Sequence, residues 1–579
     1  MRQIIDQSQK RGKADFIIQH AQIADVFNLC WRKGDVVVAN GKIIAISEPD
    51  EFEAEQVIDA SGKYIVPGFI DAHIHIESSM LVPKQFNRIV LPHGVTAVVT
   101  DPHEIANVSG KAGLEFMLQD IEDVEMDIYF MLPSSVPGTS FENAGAVLTA
   151  KDLKEFIGHK NVLGLAEVMD FPAVLNGEKE MLAKLKLAQE NGLVIDGHCA
   201  GLTSSQIRGY RAAGITTDHE CVTAEEALDR VEQGMYVLIR EGSAAKNLKA
   251  ILPAVTMANA RRFAFCTDDK HLDELMEQGS INYAVALAIA EGMDPLLAIQ
   301  IASLNAAECY RLKNKGAVAT GYDADFIVVE DLQTMKALAV WKNGRKVAEN
   351  GEMLSLIPEK STVETSILQS MHLPELTVED LRLPFTGNRA NIMKIVPNQL
   401  ITKRVEMEVD VANGHFVSSI EKDLLKLAVV ERHHHIGTKA VAIVQGIGIQ
   451  SGAVATTISH DSHNAIAVGT NDEDMLIALK ALQKIQGGLV VVNEGEVIAS
   501  LSLPIAGLMT DAPAEQAKKE LEKLHEGLHT IHPTLDYHLF LTLSFLALPV
   551  IPDIKLTDTG LFDVTKFQHI PVEVITADE

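Results

Sequence analysis

Pro67-Gly68-Phe69-Ile70-Asp71-Ala72-His73-Ile74-His75-Ile76-Glu77-Ser78-Ser79 is the stretch on which the reading of this chain turns. It continues the apolar run Lys63-Tyr64-Ile65-Val66, and side chains on a strand alternate between faces, so His73 and His75 point the same way at the strand's end. Two imidazoles on one face can chelate one metal ion. A lone pair of this kind is also compatible with two hydrogen-bonded histidines, so the reading depends on what the rest of the chain supplies.

From Pro67 to about Leu312, strand-like runs alternate with helical stretches, the pattern of a parallel sheet with crossover helices. There are eight runs: Tyr64–His73, Val95–Asp101, Asp127–Pro133, Val162–Val168, Leu193–His198, Ile215–His219, Met235–Arg240 and Arg262–Thr267. At or just past their C-terminal ends stand His73 and His75, Asp101-Pro102-His103-Glu104, Glu167, His198, His219, Arg240-Glu241 and Asp268-Asp269. Eight strands with the ionisable residues gathered at one end describe a (β/α)8 barrel, whose sites are built on that face.

Short strands flank this region. Phe16-Ile17-Ile18, Asp35–Ala39 and Lys42–Ile46 precede it, the last two joined by Asn40-Gly41, a strong hairpin signal. Beyond it, Gly316–Val329 turns into a buried strand and Val340–Val347 reads as a second hairpin. Residues 353–390 are turn-rich, with Pro358, Pro374 and Pro384, and read as a linker; 391–579 read as a second α/β unit with strands at Val441–Val444 and Leu489–Val492 and a helix over Asp474–Ile485.

The formal charge of −29 argues against nucleic acid as a partner, since phosphate binding needs clustered Lys and Arg. A small neutral substrate is compatible with it. The five cysteines are scattered without a CxxC pair, so neither a disulfide framework nor a thiolate zinc site is expected. Met1–Gln7 lacks an apolar signal segment and no apolar run approaches the roughly 18 residues that cross a membrane, so no membrane partner and a cytoplasmic location are expected.

The extended His-x-His motif resembles the signature of the amidohydrolase superfamily, and its fuller form is similar to that of bacterial-type adenine deaminases. Asn305-Ala306-Ala307, Lys315-Gly316 and Gly321-Tyr322-Asp323-Ala324-Asp325 resemble the superfamily's closing segment. The resemblance implies an α/β fold in which 1–66 and 313–352 form one β-sandwich beside a barrel at 67–312, with 353–390 as linker and 391–579 as the adenine deaminase C-terminal-like domain. It implies hydrolysis of adenine to hypoxanthine and ammonia by a binuclear divalent metal centre, with Mn or Fe expected and Zn the other candidate.

In that centre His73 and His75 would hold one ion and His198 and His219 the other. Glu167 falls where many members carry a carboxylated lysine; a glutamate provides a bridging anion without modification, and the adenine deaminases have one there. Asp268 matches the aspartate that both ligates metal and shuttles a proton. Deamination also needs an acid for a ring nitrogen and the departing ammonia, for which Glu104 or His103 is favoured, with Glu77 nearby. Arg240, Glu241 and Ser243 are candidate purine contacts on position alone. Glu431-Arg432-His433-His434-His435 and Ser459-His460-Asp461-Ser462-His463-Asn464 resemble the domain that follows the barrel in adenine deaminases, and the second of them could reach over the barrel mouth. A homo-oligomer, dimer or tetramer, is expected. The competing reading is a cyclic-amide hydrolase of the dihydroorotase or hydantoinase kind, against which Glu167 speaks. The H-x-E and P-C-x-x-C signature of other zinc base deaminases is absent.

Overall fold

A computed structural model describes residues 2–356, 360–397 and 399–574. Five parallel strands, Phe69–Ile74, Val95–Thr100, Asp127–Leu132, Val162–Val168 and Val194–Gly197, pair in chain order, and Thr217–Asp218, Tyr236–Arg240 and Phe263–Cys266 form a second parallel set. Two seams close them into a barrel. Thr216 N–H donates to Ile195 O at 2.9 Å, and Asp268 N–H donates to His73 O at 2.9 Å. Inside, Ile70, Ala72, Ala97, Val99, Ala166, Leu238 and Ala264 pack as a cluster distinct from the outer layer against the helices. The small residues among them leave room at the C-terminal end for the side chains of His73 and His75.

The first expected run, Tyr64–His73, is two strands. Tyr64–Pro67 pairs with Ala14–Asp25 and with Phe326–Val329 in an outer sheet, whereas Phe69–Ile74 enters the barrel. Gly68 makes the crossing: a Cβ there would lie 2.2 Å from Thr96 Oγ1, so only glycine fits. The outer sheet has nine strands, five from before the barrel and four from after it. Three of its hairpin turns put Asn40 and Gly41, Asn343 and Gly344, and Asn350 and Gly351 at positive φ, as the tight two-residue turn requires. Phe16, Val36, Phe326 and Trp341 share its core, and Lys342 and Lys315 bind Asp325 and Asp127 across it at 2.7 Å.

Beyond it, one-turn helices at Thr365–Leu368 and Val378–Leu381 lead into an eight-stranded sheet, from Arg389–Ile395 to Glu496–Ser502, with the helix Asp472–Ile485 on one face and Ala514–Ile531 near its edge. Met371, Leu373, Leu376 and Leu381 pack on the same face as Asp472–Ile485, so residues 371–381 of the expected linker are part of this unit's core; Pro358 of that linker lies outside the described residues. The unit docks on the barrel mouth: Thr510 exchanges backbone hydrogen bonds with Met80 and Val82, and Asp558 accepts from Asn143 Nδ2 at 2.6 Å. No helix among the described residues is long and apolar enough to cross a membrane.

Candidate metal centre

His73 and His75 leave the first barrel strand side by side, their ring centroids 4.9 Å apart and nearly perpendicular, and the ring of His219 stacks on His73 at 4.1 Å. His75 Nδ1 lies 3.0 Å from the carbonyl of Asp101. A carbonyl only accepts, so Nδ1 carries the proton and Nε2 keeps its lone pair for a metal. That Nε2 faces Asp268 Oδ1 at 3.1 Å and Glu167 Oε1 at 3.4 Å, and His73 Nε2 lies 3.5 Å from Asp268 Oδ1.

Glu167 is split between two sets of imidazoles. Its Oε1 faces His75 and, at 3.7 Å, His103 Nδ1; its Oε2 faces His198 Nδ1 at 2.8 Å and His219 Nε2 at 3.2 Å. A carboxylate so placed can join two ions. His73 Nε2, His198 Nε2, His219 Nδ1 and Asp101 Oδ1 are buried without a hydrogen-bond partner among the described residues, a costly state for polar atoms that a cation would relieve. The donor set of imidazole and carboxylate suits a borderline divalent ion. His73 with His75 and Asp268, His73 with Glu167 and His219, and His75 with Asp101, His103 and Glu167 each bring their ligand atoms within 4.8 Å of one another.

Glu167 and Asp268 are both favoured in the ionised form. Burial would raise Glu167, but hydrogen bonds from His198 and His219 keep it well below the usual carboxylate range. Burial opposes Asp268 too, and the Arg240 guanidinium with His73 and His75 holds it well below. A second carboxyl set stands opposite. Burial, with Glu77 and Asp269 nearby, pushes Glu104 well above its ordinary value, and burial moves Glu77 up to about 7. Ser78 Oγ lies 2.9 Å from Glu104 Oε1 and 2.6 Å from Asp269 Oδ1. One hydroxyl has one proton to give, so the array is satisfied when Glu104 is protonated and donates to Ser78, which donates to Asp269.

A cavity of about 1340 Å³ opens beside the centre, lined by Glu220, Arg240, Asn247 and His271 from the barrel and by Ile458, Phe540 and Ser544 from the C-terminal unit. The site therefore combines imidazoles and carboxylates that could hold divalent cations with Glu167 and Asp268 favoured as carboxylates and Glu104 favoured as the neutral acid across from them.

Residues 64–348 match the amidohydrolase family and residues 399–568 match the adenine deaminase C-terminal domain. The chain is 64% identical over 567 residues to the adenine deaminase of Lysinibacillus sphaericus, covering 98% of this chain and 97% of that one. It belongs to the adenine deaminase family. The adenine deaminases of Bacillus pumilus and Bacillus subtilis are 54% and 51% identical to it, with 98% of each chain covered.

Within this family member, the structure brings His73, His75, Glu167, His198, His219 and Asp268 together, with His103 against them. Glu104 lies beyond, its carboxyl linked through Ser78 to Asp269. Glu77 accepts the Ile105 N–H at 3.3 Å. The three candidate purine contacts divide. Arg240 is engaged by Asp268 and Glu220; Glu241 accepts from Leu248 N–H in its own loop, and Ser243 donates at 2.6 Å to Glu274 on the helix that follows the eighth barrel strand. The three-histidine run is structural: Glu431 accepts the N–H groups of His433, His434 and Ile436, closing a tight turn. Glu220 carried no motif of its own, whereas Asp461 and His463 belong to the run Ser459–Asn464 already singled out in the sequence, though without a role for either residue. The dense polar run Ser459–Asn464 between two apolar strands was the available signal, and it does reach the mouth, with Asp461 Oδ1 3.5 Å from His103 Nε2.

Proposed function

We propose that the chain hydrolyses adenine to hypoxanthine and ammonia at this centre, with Mn or Fe held by His73, His75 and Asp268 on one side, His198 and His219 on the other, and Glu167 between. What carries the reading is the near full-length identity to curated adenine deaminases, spanning both the barrel and the C-terminal unit, together with a glutamate in place of lysine at the bridge. Bound there, divalent ions supply the Lewis acidity that brings the ionisation of water toward neutral pH.

The protein's residues handle the protons. Ionised Asp268 accepts the proton given up by the attacking water at C6. Protonated Glu104 delivers its proton to a ring nitrogen, which makes C6 more electrophilic; Asp268 then passes the proton it took from water to the amino group, which leaves as ammonia, and the Glu104 carboxylate recovers a proton from the C6 hydroxyl as that becomes the carbonyl. Water adds across C6, the C6–N bond breaks, and hypoxanthine and ammonia balance adenine and water. The C-terminal unit lies over part of the mouth, so these groups act in a partly enclosed pocket where electrostatic interactions are stronger than in open water.

The test is ammonia release by protein loaded in turn with Mn, Fe and Zn and offered adenine, adenosine, cytosine and dihydroorotate side by side, with products identified by mass. Release from adenine alone, with hypoxanthine formed, supports the reading. Turnover of dihydroorotate with silence on adenine refutes it.

A further inference from the structure

The connection between the paired strands Ala453–Thr456 and Ala465–Gly469 does not turn in solvent; Ser459 to Asn464 are all buried against the barrel mouth. Several bonds hold it there. Arg432, itself buried, donates through Nε to the carbonyl of His463 and through its backbone N–H to Asn464 Oδ1 at 3.3 Å. Asn464 Nδ2 donates to Asn143 O of a barrel loop at 2.8 Å, and His460 N–H donates to Ser544 O at 2.9 Å.

His463 sits in the left-handed region at φ 52°, which costs a non-glycine residue free energy and persists where surrounding structure imposes it. Its Nδ1 accepts the Ser459 N–H at 3.3 Å. A ring nitrogen that accepts has no proton, so in the neutral ring Nε2 is the N–H donor and has no lone pair for a metal. This Nε2 is buried, has no hydrogen-bond partner among the described residues, and stands 3.6 Å from Oε2 of Glu104. The other Glu104 oxygen is taken by Ser78.

We infer that His463, supplied by the C-terminal unit, is a positioning residue for Glu104: its Nε2–H and the Ser78 hydroxyl hold the two carboxyl oxygens from opposite sides, so the acid is fully set only when the two units are docked. The inference rests on Glu104 being the acid assigned above.

Two substitutions divide the functions of the ring. His463→Gln keeps an N–H donor near the Nε2 position and gives up the Nδ1 acceptor, whereas His463→Asn keeps an acceptor near Nδ1 and falls short of Glu104. On the Mn-loaded full chain, kcat and KM for adenine, metal content and Tm are measured for both, beside Glu104→Gln. His463→Gln is expected to keep kcat within about threefold, and His463→Asn to lose roughly 30-fold in kcat with little change in KM, a part of the roughly 10²–10⁴-fold that a general acid contributes. Metal content is expected to be unchanged in both. The reverse order, or equal losses that follow Tm, would make His463 a brace for the Ser459 turn and overturn the inference. An inactive Glu104→Gln beside a fully active His463→Asn removes the inference alone; an active Glu104→Gln removes the acid assignment and the inference with it.

Discussion

Nη1 of Arg240 stands 2.7 Å from Oδ2 of Asp268, joining the end of the seventh barrel strand to the residue that follows the eighth. The other oxygen, Oδ1, faces His75 and His73. The two oxygens are thereby assigned different tasks, one to a fixed guanidinium and one to the metal side of the pocket. Arg240 also grips Glu220, so one planar fork orders two buried carboxylates.

Lysine cannot reproduce that fork. Arg240→Lys is expected to lower kcat for adenine by about tenfold while the protein stays folded, because Asp268 loses its fixed orientation. Steady-state kinetics check this, and an unchanged kcat would separate Arg240 from the work of Asp268.

Asp268→Asn should keep the fold and abolish turnover, since the amide can neither take the proton from water nor match the charge around it. Near-wild-type activity would take Asp268 out of the mechanism.

Each Glu167 oxygen faces its own pair of imidazoles, so the residue serves both sides of the centre. Glu167→Gln is predicted to bind about one metal per chain where the parent binds about two, read by elemental analysis after gel filtration, because an amide offers one neutral acceptor where the carboxylate offered two charged ones. Chelation of the parent should also lower Tm, and added Mn should restore it, since ions that bind the folded chain stabilise it by mass action.

Glu142 gives a prediction on pH. Burial, with Asp461 close by, pushes its carboxyl up to about 8. The folded chain therefore holds a proton that the unfolded chain releases across the range from the ordinary carboxylate value to about 8, so stability falls as pH rises through it and the penalty is complete above pH 8. Glu142→Gln lacks that penalty. Its Tm should exceed the parent's by about 2 °C at pH 9 and match it near pH 5; a difference independent of pH would contradict the assignment.

The barrel and its metal face were legible because the information was local. His73 and His75 share a strand face by the two-residue repeat alone, and the polar residues ending each run mark one rim of the barrel. The split of Tyr64–His73 at Gly68 was not legible, since it depends on Thr96 pressing against the glycine in three dimensions. The partner of Arg240 was hidden for the same reason: an arginine at a strand end reads as a substrate contact until Asp268 and Glu220 are seen to occupy it. His463 lies 359 positions from Glu104 in the chain and meets it only through docking of two units, and no periodicity or spacing encodes that contact.

The most direct test of the two-ion account is a titration of metal-free protein with Mn while the conversion of adenine to hypoxanthine is followed. Activity is predicted to climb until about two ions per chain are bound and then level off, as expected if His73, His75 and Asp268 hold one, His198 and His219 the other, and Glu167 both. Full activity at one ion per chain would contradict the bridging role of Glu167 and the centre built around it.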